Sequence, residues 1–189
     1  MKKYYLYIIL IRTNTVLSNL IHYVRNDDYT HAAIALDKDF SCMYSFGRRR
    51  VYNPFIGRFV KESMFDGLYK IHDSSPCKIL EIEVSEEQYY KAEDIIKHFI
   101  SNRNIYRYNY IGLVYNLLNK ETLNNKFMCS EFVYYVLRES GITDFNIPKN
   151  LVRPTDLLSL KSRIFYQGNV RLFVTTSDIN NRILMPTQL

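Results

Sequence analysis

The chain has 189 residues, with 47% hydrophobic and 23% charged content and a formal net charge of +6. That balance suits one globular domain, residues 1–189, with a sizeable core, and no internal repeat or low-complexity tract is evident along the chain. No apolar run reaches the length of a membrane helix, and Cys42, Cys77 and Cys129 are too few and too widely spaced for a disulfide framework or a Cys-x-x-Cys zinc site.

Met1-Lys2-Lys3 followed by Tyr4–Ile11 superficially resembles a signal peptide. Arg12 breaks the apolar run and no small-residue cleavage site follows, so the run reads as a strand buried on both faces. A reduced, soluble, cytoplasmic protein is the simplest expectation. Thr13 or Asn14 can cap a helix whose apolar positions Val16, Leu17, Leu20, Ile21 and Val24 recur at helical spacing. Thr30–Leu36 and Cys42–Phe46 read as two strands of a hairpin joined around Asp37-Lys38-Asp39.

From Gly47 to Pro76 the pattern weakens, with Asn53-Pro54, Gly57 and Gly67 as turn points. The expectation is a loop-rich excursion carrying at most short strands near Phe59-Val60 and Leu68–Ile71. Arg48-Arg49-Arg50 opens it. This run reads either as a solvated basic loop or as a site for an anionic group, with Arg48 and Arg49 as substrate-binding candidates. No nucleic-acid motif accompanies the charge, so nucleic acid ranks last among partners.

Lys78–Val84 alternates apolar and polar positions and predicts a half-buried strand. Ser85-Glu86-Glu87-Gln88 is a capping box opening a helix to about Asn102, with Tyr89, Ala92, Ile95, Ile96 and Phe99 inward. Further helices are expected at Tyr110–Leu118 and at Cys129–Glu139, the second stopped by Gly141. Pro154 starts a short helix, and Phe165–Val174 predicts one or two late strands. The sum is an α+β chain, a mainly antiparallel sheet packed against helices.

Two positions carry chemistry. Cys129 opens an amphipathic helix, where a thiolate gains from the helix N-terminus. It also shares the apolar face of Phe132, Val133, Val136 and Leu137, as a core thiol would. His31 lies on a strand with small neighbours Ala33 and Ala35, which leave room beside the ring. His22, His72 and His98 compete as a base from helix or loop positions. A thiol and an imidazole together can perform acyl transfer, the first as nucleophile and the second as base and then acid.

Tyr29-Thr30-His31 with Ile34-Ala35-Leu36, followed late in the chain by Cys129-Ser130-Glu131-Phe132-Val133, resembles the circularly permuted, NlpC-like branch of the papain fold. Within that branch the order is similar to the YaeF/YiiX-type permuted papain-like amidases. Arg12-Thr13 before a helix and Val152-Arg153-Pro154-Thr155-Asp156-Leu157 are softer matches. The resemblance covers about Lys3 to Phe173. It implies Cys129 as nucleophile and His31 as general base, with no cofactor and no metal. It also implies a third polar residue, often Glu or His, on the strand after the histidine strand. Here that strand reads Cys42-Met43-Tyr44-Ser45-Phe46. Ser45 is the best match as the orienting residue, with Tyr44 and Glu62 as contenders. The expected activity is that of a cysteine amidase or peptidase acting on a small peptide, an amino-acid conjugate or a cell-wall fragment. A lipid-directed thiol acyltransferase or hydrolase, and a catalytically weak binding module, are the alternatives. Oligomeric state is not legible.

Overall fold

The computed structural model describes residues 2–12, 27–50, 53–71, 73–108 and 126–176. Eight strands form one sheet: β1 (Tyr4–Ile11), β2 (His31–Ala35), β3 (Met43–Arg50), β4 (Asn53–Glu62), β5 (Pro76–Val84), β6 (Arg107–Tyr108), β7 (Lys126–Phe127) and β8 (Arg163–Asn169). Their order is β7-β6-β4-β3-β2-β1-β5-β8. The six strands from β4 to β8 in that order pair antiparallel, and β6 joins β4 antiparallel while β7 joins β6 parallel. The described chain is therefore α+β, with a mainly antiparallel sheet.

β1 is an interior strand of the sheet, between β2 and β5, which is why its sequence is a continuous apolar and aromatic run. Its pleat feeds two cores. Leu6, Ile8 and Leu10 enter one, with Ala32 and Ile34 of β2 and Leu80, Ile82 and Val84 of β5. Tyr7, Ile9 and Ile11 enter the other, with Ala33, Ala35, Met43, Cys77 and Ile79. The charged member of the second face, Glu81, is buried but bonded: the Tyr7 hydroxyl donates to it at 3.2 Å and Arg163 Nε at 2.8 Å.

Two helices cover the first core. The helix α2 (Glu86–Ser101) follows α1 (Gly67–Ile71) in the chain. At its start Ser85 Oγ accepts from Gln88 N–H at 3.1 Å while Gln88 Oε1 accepts from Ser85 N–H at 3.0 Å, the reciprocal cap that the sequence predicts. Its Phe99 packs edge-to-face on Phe132 with ring centroids 5.0 Å apart, in a cluster with Phe46, Phe59 and Phe127. The helix α3 (Cys129–Glu139) ends as expected at Gly141, whose φ is +70°. Gly141 N–H donates to Arg138 O and Ile142 N–H to Leu137 O, each at 2.9 Å, so the last carbonyls are satisfied.

Several expectations are corrected. The stretch after Gly47 is not loop at its start, because β3 runs on to Arg50 and pairs with a ten-residue β4. Leu68–Ile71 belongs to the short helix α1 rather than a strand. Late in the chain β8 stops at Asn169, and residues 170–176 are helical. Pro154 opens a 3₁₀ helix, Pro154–Ser159, rather than an α-helix. The predicted helices around Val16–Val24 and Tyr110–Leu118 lie outside the described residues. No described helix is long and apolar enough to cross a membrane.

Candidate active site

His31 is the first residue of β2 and Cys129 the first residue of α3. Each stands at the end of its element, and the ends meet. Backbone bonds set both ends. Thr30 N–H donates to Ile11 O at 3.1 Å, which registers β2 against β1 just before the histidine. At the helix start, Glu131 reaches back to accept from Met128 N–H at 3.2 Å, and Ser130 Oγ donates to Val152 O at 2.6 Å.

The segment from Val152 to Asp156 is a brace for both halves. Asp156 Oδ2 accepts from Arg153 N–H at 2.8 Å, capping the 3₁₀ turn. The Arg153 guanidinium also lies 3.3 Å from Asp27 Oδ1, in the segment leading into β2. One short stretch thus holds the start of α3 through Val152 and the approach to His31 through Arg153.

Glu131 is almost fully buried, and burial pushes its carboxyl pKa up, opposed by the Lys149 ammonium at 3.4 Å and the Met128 N–H. Lys149 also sits 4.1 Å over the centroid of the Phe127 ring. The acidic residue at the helix's first turn favours the N-terminal end of α3 electrostatically, and its bonds keep that end rigid beside Cys129.

The imidazole is buried at 7% exposure. Its Nε2 lies 3.1 Å from Glu62 Oε2. The Cys129 sulfur is close enough to the ring to favour its protonated form. Burial by itself lowers the pKa of the ring, but the Glu62 charge, the nearby Cys129 sulfur and the Glu62 hydrogen bond outweigh it and push the pKa up to about 10. The raised pKa favours the imidazolium, the form that pairs with the Glu62 carboxylate.

Glu62 is the last residue of β4, and β3 separates it from β2. Its Oε2 also accepts from the Tyr69 hydroxyl at 3.3 Å. Tyr69, on α1, is fully buried, and desolvation followed by the Glu62 charge raises its pKa well above the ordinary phenol value, so it stays a neutral donor.

The orienting candidates separate clearly. The imidazole's carboxylate partner is Glu62. Ser45 is fully buried on the strand between, but its Oγ finds no hydrogen-bond partner among the described residues. Tyr44 stacks on Phe59 with centroids 6.0 Å apart and accepts from Cys42 Sγ at 2.9 Å, packed against the first core rather than beside His31. Arg48 and Arg49 are strand residues of β3, and their side chains lie outside the described ones. Of the competing histidines, His98 is on α2 and bonds Tyr106 at 3.0 Å, whereas His22 and His72 lie outside the described residues. Tyr69 had no signal in the sequence, since a five-residue helix is too short for its period to show.

All three cysteines are free. Cys77 is buried in the second core, and desolvation pushes its pKa up to about 12. Among the described residues no group of three or more His, Cys, Asp or Glu side chains is arranged to hold a metal ion. No protein-family model, curated protein or solved structure matches the chain.

Proposed function

We propose that the protein is a cysteine-dependent hydrolase of the amidase or peptidase type, with Cys129 as nucleophile, His31 as proton carrier and Glu62 holding the imidazole. The observation that supports this most is the 3.1 Å contact of Glu62 Oε2 with His31 Nε2, on a ring whose protonated form the nearby Cys129 sulfur also favours. A structural histidine needs one partner. This one sits between a carboxylate and a thiol at a helix start.

In the reaction the thiol proton of Cys129 passes to the His31 ring, giving a thiolate beside an imidazolium; the thiolate attacks a substrate carbonyl and the carbonyl π pair moves onto oxygen. The N–H groups of the first turn of α3 have no acceptor within the helix and are the donors for that oxyanion. When the tetrahedral species collapses, the C–N or C–O bond breaks and the imidazolium of His31 gives its proton to the leaving group. The neutral ring then takes a proton from water, hydroxide attacks the thioester, and the acid and the thiolate are released. Glu62 stabilises the imidazolium that the first step requires.

The test is alkylation of each cysteine as a function of pH, read by peptide mass spectrometry in wild type and His31→Ala. The expected result is that Cys129 reacts far faster than Cys42 and Cys77 near neutral pH and loses that advantage without His31. An inert Cys129, or one indifferent to His31, defeats the proposal and leaves a binding domain with a core thiol.

A further inference from the structure

Glu62 and His31 lie on strands that are not neighbours, with β3 between them. Met43 pairs with Glu62, and Ser45 with Val60 and Gly47 with Arg58 follow on the same face. The pairing of β2 with β3 joins Ile34 to Tyr44 and Ala35 to Met43. The carboxylate crosses β3 to meet the ring, and its Oε1 lies over Gly47.

A Cβ on Gly47 would lie 3.1 Å from Glu62 Oε1, 3.5 Å from Val60 Cγ2 and 3.6 Å from Ser45 Oγ. The carboxylate thus occupies the space that any other side chain at this position would fill. The backbone of Gly47 lies outside the left-handed region, unlike that of Gly67 and Gly141. Conformation does not require glycine here, and glycine is unfavourable inside a strand. What remains is the room above it.

We infer that Gly47 is a positioning residue of the site: its missing side chain lets the Glu62 carboxylate cross β3 and bond His31. The inference deepens the proposed function and rests on the same histidine. It also explains how a carboxylate serves this ring although the strand next to β2 carries none. The orienting group comes from one strand further on, over a gap. The titratable groups facing the ring are Glu62 from β4, Cys129 from α3 and Tyr69 from α1, whose ring centroid is 6.5 Å from that of His31. Arg58, the register partner of Gly47, is the cation on the same row of the sheet.

The test is NMR titration of the His31 ring, assigned with His31→Gln, in wild type, Gly47→Ala, Gly47→Val, Glu62→Gln and the Gly47→Val/Glu62→Gln double variant. Urea unfolding is measured beside it. Losing an opposite charge at this range lowers a pKa by about one to three pH units, and that fall is expected in Glu62→Gln and Gly47→Val. Gly47→Ala, which displaces the carboxylate by less, falls part of the way, and at neutral pH its unfolding midpoint drops in step with that fall. The double variant falls no further than Glu62→Gln alone. A glycine kept only for packing would instead leave the titration in place while the midpoint drops. If both Gly47 variants titrate like wild type while Glu62→Gln falls, the inference is overturned and the Glu62–His31 pair stands. If Glu62→Gln also titrates like wild type, both are overturned. The titration needs no substrate and no reaction at sulfur, so an inert Cys129 would defeat the proposed function without touching this result.

Discussion

Tyr69 and Glu62 meet inside the second core, with the phenol hydroxyl 3.3 Å from the carboxylate oxygen that also faces His31 Nε2. One oxygen therefore receives two donors, one neutral and one cationic. Tyr69→Phe removes the neutral donor and leaves the ion pair. The expected cost is about 1–2 kcal/mol of stability, since a hydrogen bond to a charged group is lost in a buried site. The His31 ring should titrate no lower than in wild type, because the carboxylate loses a competing donor and keeps its charge. Urea unfolding and ring titration check the two halves separately. A pKa that collapses on Tyr69→Phe would make the phenol part of what holds Glu62 in place.

The pH dependence of stability follows from the sign of the His31 shift. The ring's pKa rises from 6.5 to about 10 on folding, so folding takes up a proton between those values. The contribution is fully present below 6.5 and is lost as pH rises through about 10. For one proton the slope is at most about 1.4 kcal/mol per pH unit. Cys77, raised from 9.0, and Tyr7, raised from 10.0, erode stability only above those ordinary values, so the lower part of the window belongs to His31. Urea midpoints should fall steadily from mildly acid to alkaline pH in wild type, and Glu62→Gln should flatten most of that fall. A flat wild-type profile across the window would show that the pair is not charged as described.

Ser45 makes the opposite prediction. Its hydroxyl is buried without a partner among the described residues, and such a group costs free energy rather than supplying it. Ser45→Ala should leave stability unchanged or raise it by up to about 1 kcal/mol. The His31 titration and the alkylation rate of Cys129 should not move. A drop in either would return Ser45 to the role of orienting residue and displace Glu62.

Local signals in this chain carry local structure. The Ser85–Gln88 cap and the Gly141 stop were legible because each is a bond between residues a few positions apart; the alternation in Lys78–Val84 marked a strand, but the fold buries both of its faces rather than one. Of β4 only the part around Phe59-Val60 was legible, since Asn53-Pro54 and Gly57 interrupt the rest of its pattern and its extended form there comes from pairing along β3. Gly47 read as a strand end because an isolated glycine breaks a propensity pattern. Inside the sheet such a glycine marks a close approach.

By itself the sequence determined that a thiol begins one helix and an imidazole lies on one strand, since both placements follow from short-range pattern. What only the tertiary structure decided is what surrounds them. The strand order β4-β3-β2, the register that sets Arg58 against Gly47, and the burial of Tyr69 choose Glu62 as the imidazole's partner over Ser45. None of these is a property of neighbouring residues. A carboxylate's reach across a sheet depends on which strands adjoin, how they are registered and where a side chain is missing, and long-range packing sets all three.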